Sequence, residues 1–181
     1  MIKKILKKFN FYLNRLLLFR FEKSIVKSGE HASSTSDNGW YIRSIEGFLK
    51  SNKKFKRFKR SPAYREVLEH VSYEQACDYI KRIEDLSPNY LEKESIENIS
   101  INDVIGSPIL FEFPKYISLS GPTLRYLYVC SHLSEFFNLD EVNDIAEIGA
   151  GYGGQALIYN QLFSYQMYNI FDLEPVCRLI E

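Results

Sequence analysis

The chain has 181 residues, 45% of them apolar, with 13 Tyr, 13 Phe and a formal net charge of zero. That length and apolar content suit one ordinary domain with a real core and exclude an intrinsically disordered chain. The zero hides an asymmetry: residues 1–60 hold 16 Lys/Arg against 4 Asp/Glu, and residues 61–181 hold 7 against 19, so a basic arm precedes an acidic body.

In the opening stretch MIKKILKKFNFYLNRLLLFRFEK, apolar residues at 2, 5, 6, 9, 13, 16 and 17 recur at three- and four-residue steps, which predicts a basic amphipathic helix. Its charge-free runs are too short for a secretory leader or a membrane span. Such a helix suits contact with the body, with a partner protein or with an anionic membrane surface. SGEHASSTSDNG, residues 28–39, reads as a polar linker. WYIRSIEGFLKSNKKFKRFKR reads as helical, its aromatic residues turned inward from a solvated basic face; the interleaving of rings and cations also matches a nucleic-acid patch, but no nucleic-acid partner is expected.

SPAYREVLEHVSYEQACDYIKRIEDLSP predicts two consecutive helices. The first is entered through Ser61–Pro62, the break falls near Ser72, and Ser87–Pro88 stops the second. ILFEF suggests a short strand, and Ser120-Gly121-Pro122-Thr123 opens a further helix. Cys77, Cys130 and Cys177 stand singly, with no CxxC spacing. This argues for small buried thiols in a reducing cytoplasm, not for a metal site or disulfide framework.

The chemistry-bearing stretch is DIAEIGAGYGGQALIYNQLFSYQMYNIFDLEP, residues 144–175. DIAEI reads as a buried parallel strand turning at glycines into the helix GGQALIYNQLF, and YQMYNIF as a second strand ending at Asp172. Gly149 permits the tight turn, Gly151 lets a ligand approach the backbone, and Gly153 and Gly154 bring the helix start close to ligand and sheet. An acid ending the second strand can accept hydrogen bonds from a ribose diol. Gly149-x-Gly151-x-x-Gly154 also satisfies a dinucleotide pattern, and a strand–turn–helix with no ligand is a third reading. Glu147 favours a different nucleoside: a carboxylate there repels a diphosphate and suits an ammonium or sulfonium charge. Glu147-x-Gly149-x-Gly151-x-Gly153 is a spacing suited to S-adenosylmethionine.

With those residues in place, the chain resembles a class I S-adenosylmethionine-dependent methyltransferase, and more narrowly the bacterial sugar O-methyltransferase family. The likeness rests on GPTLRYLYV, IAEIGAGYGGQALIY and YNIFDLEPV, and covers about residues 55–181. It implies an α/β fold in which a mainly helical N-terminal region leads into the first βαβ unit of a Rossmann-like sheet. It further implies that Glu147, Gly149, Ala150, Gly151 and Gly153 form the cofactor loop and that Asp172 holds the ribose. Arg125 and Tyr126, on the helix before the first strand, are candidates to touch the methionine carboxylate; a structural ion pair and a core aromatic are the alternatives. Tyr152 and Gln155 either line the site or cover it.

The expected organisation is a basic helix and linker over 1–39, a helical cap over 40–140 and the start of the cofactor-binding domain over 141–181. Only two strands of the sheet are expected, so the catalytic base and the remaining strands are looked for beyond Glu181, in a longer protein; a complete small protein that assembles with another chain is the alternative. The activity implied is methyl transfer to a sugar or glycan hydroxyl, in the cytoplasm or at the inner face of the membrane. The competing reading is a non-catalytic helical module docking on a membrane, glycan or partner protein.

Overall fold

A computed structural model describes residues 21–23, 39–116 and 118–181. Within them the chain is a mixed α/β protein dominated by helices. The apolar stripe over residues 1–17 and all of the polar linker except Gly39 lie outside the described residues. Of the opening stretch of residues 1–23, Phe21–Lys23 is described, and it is not helical: it forms a strand, β1.

The stretch from 40 to 60 is three short pieces instead of one helix. Trp40–Leu49 (α1) is followed by Asn52–Phe55 (α2) and a 3₁₀ turn over Phe58–Arg60. The interruption lies at Ser51, whose hydroxyl accepts from the Lys54 amide at 3.4 Å and starts the new turn, the habit that makes serine a helix boundary. Pro62–Val67 (α3) begins with proline at its first turn, as expected, although the Ser61 side chain makes no capping bond.

The predicted break near Ser72 is a capping box. Ser72 Oγ accepts from the Gln75 amide at 3.2 Å and Gln75 Oε1 accepts from the Ser72 amide at 2.9 Å, starting Tyr73–Leu86 (α4). Lys93–Ile99 (α5) and Ile101–Val104 (α6) follow. Of ILFEF only Leu110–Phe111 (β2) is extended, pairing antiparallel with Leu119–Ser120 (β3). Ser120 then caps Gly121–Leu133 (α7). Asp144–Ile148 (β4), Gly154–Leu162 (α8), Met167–Phe171 (β5) and Glu174–Ile180 (α9) complete the chain.

β4 and β5 run parallel, with Asp144 opposite Met167 and Ile148 opposite Phe171. The expectation of two strands is corrected by β1, which pairs in parallel with the other side of β5 and gives the order β1-β5-β4. A strand edge with unpaired amides and carbonyls accepts any segment of suitable reach, and β1 takes that place. The buried reading of β4 is corrected too. Asp144, Ala146 and Ile148 are exposed, Ile148 at 87%, while Ile145 and Glu147 are half-buried. Only one face of β4 is covered, and its outer edge has no partner strand among the described residues.

The covered face and the helices share one core. α4 packs on α7, α7 and α5 pack on α8, and α9 packs on α1. Ile45, Ile83, Ile99, Leu124, Leu127 and Ile158 are all at 0% exposure, each contributing about 1.5–3 kcal/mol by burial. No helix among the described residues is long and apolar enough to cross a membrane.

Candidate functional site

The turn that leaves β4 is built as its glycines require. Gly149, Gly151 and Gly153 have φ of 77°, 61° and 83°, in the left-handed region where a side chain is strained. The Gly149 amide still belongs to the sheet, donating to the Phe171 carbonyl at 2.8 Å, and the Gly153 amide closes the turn on the Ala150 carbonyl at 3.0 Å. α8 starts immediately after Gly153. At Gly154 the reason for glycine is packing. A Cβ there would lie 2.5 Å from the Tyr126 ring and 2.5 Å from the Tyr152 hydroxyl.

Parallel register carries Asp172, the residue after β5, back to this turn. Its Oδ2 accepts from the Gly151 amide at 2.9 Å and its Oδ1 from the Leu173 amide at 2.7 Å. Burial raises the Asp172 carboxyl above its usual range, opposed by the Leu173, Gly151 and Ala150 amides. A carboxylate has about four lone-pair sites, so acceptor capacity remains beside the turn. Glu147, on the half-buried face of β4, accepts from the Tyr168 hydroxyl at 2.9 Å. Burial raises its carboxyl as well; the Tyr168 bond opposes this and the Asp172 charge adds to it. The two predicted acids therefore meet at one end of the sheet, on either side of the glycine turn.

The helices form a roof over the turn. A Cβ at Gly149 would meet nothing within 4 Å, so that side is open. At Gly151 it would meet Leu68 Cδ1 at 2.7 Å and the Tyr64 hydroxyl at 3.7 Å; at Gly153 it would meet Ile180 at 3.3 Å. The Tyr64 hydroxyl is buried with no hydrogen-bond partner, an unusual state for a donor. These residues fit S-adenosylmethionine, which needs a carboxylate for its ribose, an acid for its cationic end and a glycine backbone it can approach. One flexible side-chain end, Leu68, must move aside.

Arg125 and Tyr126 are placed by the roof. Arg125 donates to the Leu68 carbonyl at 3.5 Å and its guanidinium lies 5.3 Å from the Tyr126 ring centroid. Tyr126 packs on Gly154 as a core aromatic. Gln155 donates to the Tyr126 carbonyl at 3.2 Å. Tyr152, itself part of the turn, is buried and donates to Asn102 Oδ1 at 2.7 Å.

That last bond leads to residues the sequence pattern did not single out. Asn102 Nδ2 donates to Thr123 Oγ1 at 2.6 Å, and Asp103 Oδ1 accepts from the Thr123 and Ser120 hydroxyls at 2.7 and 2.6 Å. Lys59, 1% exposed, donates to the Asn102 carbonyl at 2.9 Å and lies 3.9 Å from the Tyr152 ring centroid. Burial lowers the Lys59 ammonium to about 8 against the charges of Glu69 and Asp103, and raises Glu69 to about 7. The network anchors Tyr152, and with it the glycine turn, to the helical region. Comparison with known proteins adds nothing to this geometry: no family model, no curated protein and no solved structure matches the chain.

Proposed function

We propose that the chain binds S-adenosylmethionine at the Gly149–Gly153 turn, and that it serves a methyltransferase acting on a sugar or glycan hydroxyl. The observation that carries the cofactor reading is the bond from the Gly151 amide to Asp172. It brings the acid ending the second strand against the turn leaving the first, so a ligand on the turn also meets a carboxylate able to take its ribose hydroxyls. Glu147 supports the choice of nucleoside, because a half-buried carboxylate beside the turn repels a diphosphate and attracts a cation. When bound, the cofactor supplies a methyl group on a positively charged sulfur. The chain's own part is to bind and orient it: Asp172 for the ribose, Glu147 for the cationic end, and the roof of Tyr64, Leu68 and Tyr126 to exclude water. The sugar acceptor rests on the family resemblance.

Titration calorimetry of the purified chain with S-adenosylmethionine, and separately with NADH, tests the reading. Saturable binding of the first alone is expected. Asp172→Ala should weaken it about 10- to 100-fold, since a hydrogen bond to a charged group contributes about 1.5–3 kcal/mol. Binding of NADH without S-adenosylmethionine overturns the proposal.

A second reading, docking on an anionic surface, is supported by a different feature. Arg43, Lys54, Arg57 and Arg60 line a broad groove of about 710 Å³ together with Trp40. Co-sedimentation with anionic vesicles, in the absence of any S-adenosylmethionine affinity, would favour that reading over the enzyme.

A further inference from the structure

A second, smaller cavity of about 80 Å³ lies at the end of α3, lined by Lys59, Arg65, Glu69, Val71, Phe111 and Pro122, among others. By volume it holds about two or three waters, at about 30 Å³ each, or the edge of a larger ligand. One of its charged groups, Glu69, is incompletely satisfied, while Arg65 is exposed at the rim. Glu69 Oε1 is buried and accepts no hydrogen bond; burial and the Asp103 charge push its carboxyl up, and Lys59, Arg125 and Arg65 are close enough to oppose them. The Lys59 ammonium has three N–H groups; it donates to the Asn102 carbonyl and lies over the Tyr152 ring, so among the described residues it still has a proton to give. A buried acceptor without a donor is destabilising and calls for one.

The complementary ligand follows from this inventory. An anion would satisfy Lys59 and Arg65 but be repelled by Glu69, and a cation would do the reverse. A hydroxyl pair satisfies both, donating to Glu69 and accepting from Lys59 or Arg65, while Phe111, Val71 and Pro122 offer apolar walls to the C–H face of a ring. We propose that the cavity formed by Lys59, Arg65, Glu69 and Phe111 binds the hydroxyl edge of a neutral sugar. Leu68, the neighbour of Glu69, packs on Gly151, so the cavity adjoins the roof of the glycine turn. Its role as an acceptor subsite rests on the methyl-transfer reading; its affinity for a diol does not.

The test is nitrogen-15 NMR of the full chain titrated with methyl α-glucopyranoside and, in separate samples, methyl α-galactopyranoside. The expected result is saturable shifts of the Glu69, Val71 and Gly121 amides with at least one of them, weakened at least tenfold in Glu69→Gln. Phe111→Ala, in the short β2 and not in the core of the helices, should weaken it independently. The proposal is overturned if neither sugar shifts these amides saturably, as when water alone fills the cavity, or if Glu69→Gln binds as the wild type does. S-adenosylmethionine is titrated into a parallel sample. Sugar shifts without cofactor binding would sink the methyl-transfer reading and leave the cavity standing; cofactor binding without sugar shifts would do the opposite.

Discussion

The glycine turn and the helical region that roofs it are held together by different physics. In the turn, backbone conformation dominates: three glycines at positive φ, a strand pair in register and one carboxylate bonded to two amides. In the roof, side chains from distant segments dominate, with Lys59, Asn102, Thr123, Asp103 and Tyr152 forming a buried polar network. A site built the first way has its geometry written into adjacent residues. One built the second way depends on the whole fold, and perturbing it should disturb the turn from a distance.

The largest effect is expected where the two regions touch. Gly154→Leu drives a side chain into the Tyr126 and Tyr152 rings and should cost about 3 kcal/mol by overpacking, read as a lowered denaturant midpoint with an unchanged slope. Next comes pH, which acts on the roof more than on the turn. Glu69 is raised from 4.5 to about 7, so the folded state holds the extra proton between those values and stability falls as pH rises through that window. Lys59 is lowered from 10.5 to about 8, so the unfolded state holds the extra proton above pH 8 and stability returns as pH climbs towards 10.5. The contribution of the pair therefore has a trough between about pH 7 and 8. Thermal unfolding across pH should show the acid side of that trough flattened in Glu69→Gln; an unchanged profile would remove Glu69 from the account.

Asn102→Ala breaks the roof network from the other side. It strands the Tyr152 hydroxyl in the interior and should cost about 2 kcal/mol. Amide exchange should then quicken at Gly151 to Gly154, which a purely local defect in α6 would leave alone. Ser72→Ala is the smallest of the set, removing one half of the capping box of α4 for about 1 kcal/mol with no effect on the turn.

The same contrast explains what was legible in the sequence. Strand, turn, helix and the acid at 172 follow from residues within thirty positions of one another, and the break near Ser72 was legible too, although its capping box was not read. β1 was not legible, because Phe21 pairs with Tyr168 and nothing near Phe21 marks it as extended. Nor was the exposed face of β4, since an apolar run reads as buried until the number of covering layers is known. Lys59 is the instructive miss. It stands in KKFKRFKR, a run that reads as solvated, yet the 3₁₀ turn and the bond from its amide to the Gly106 carbonyl tuck Phe58 and Lys59 inward at 1% exposure each. Only a spacing argument that allowed a tight turn after Arg57 would have found it.

The most direct test of the central claim is a crystal structure of the chain with S-adenosylmethionine. The account predicts ribose hydroxyls on the Asp172 carboxylate, the cationic end towards Glu147, and Leu68 rotated off Gly151. Nucleoside bound away from the turn, or a pyrophosphate lying across Gly149 to Gly154 in a parallel soak with NADH, would contradict it.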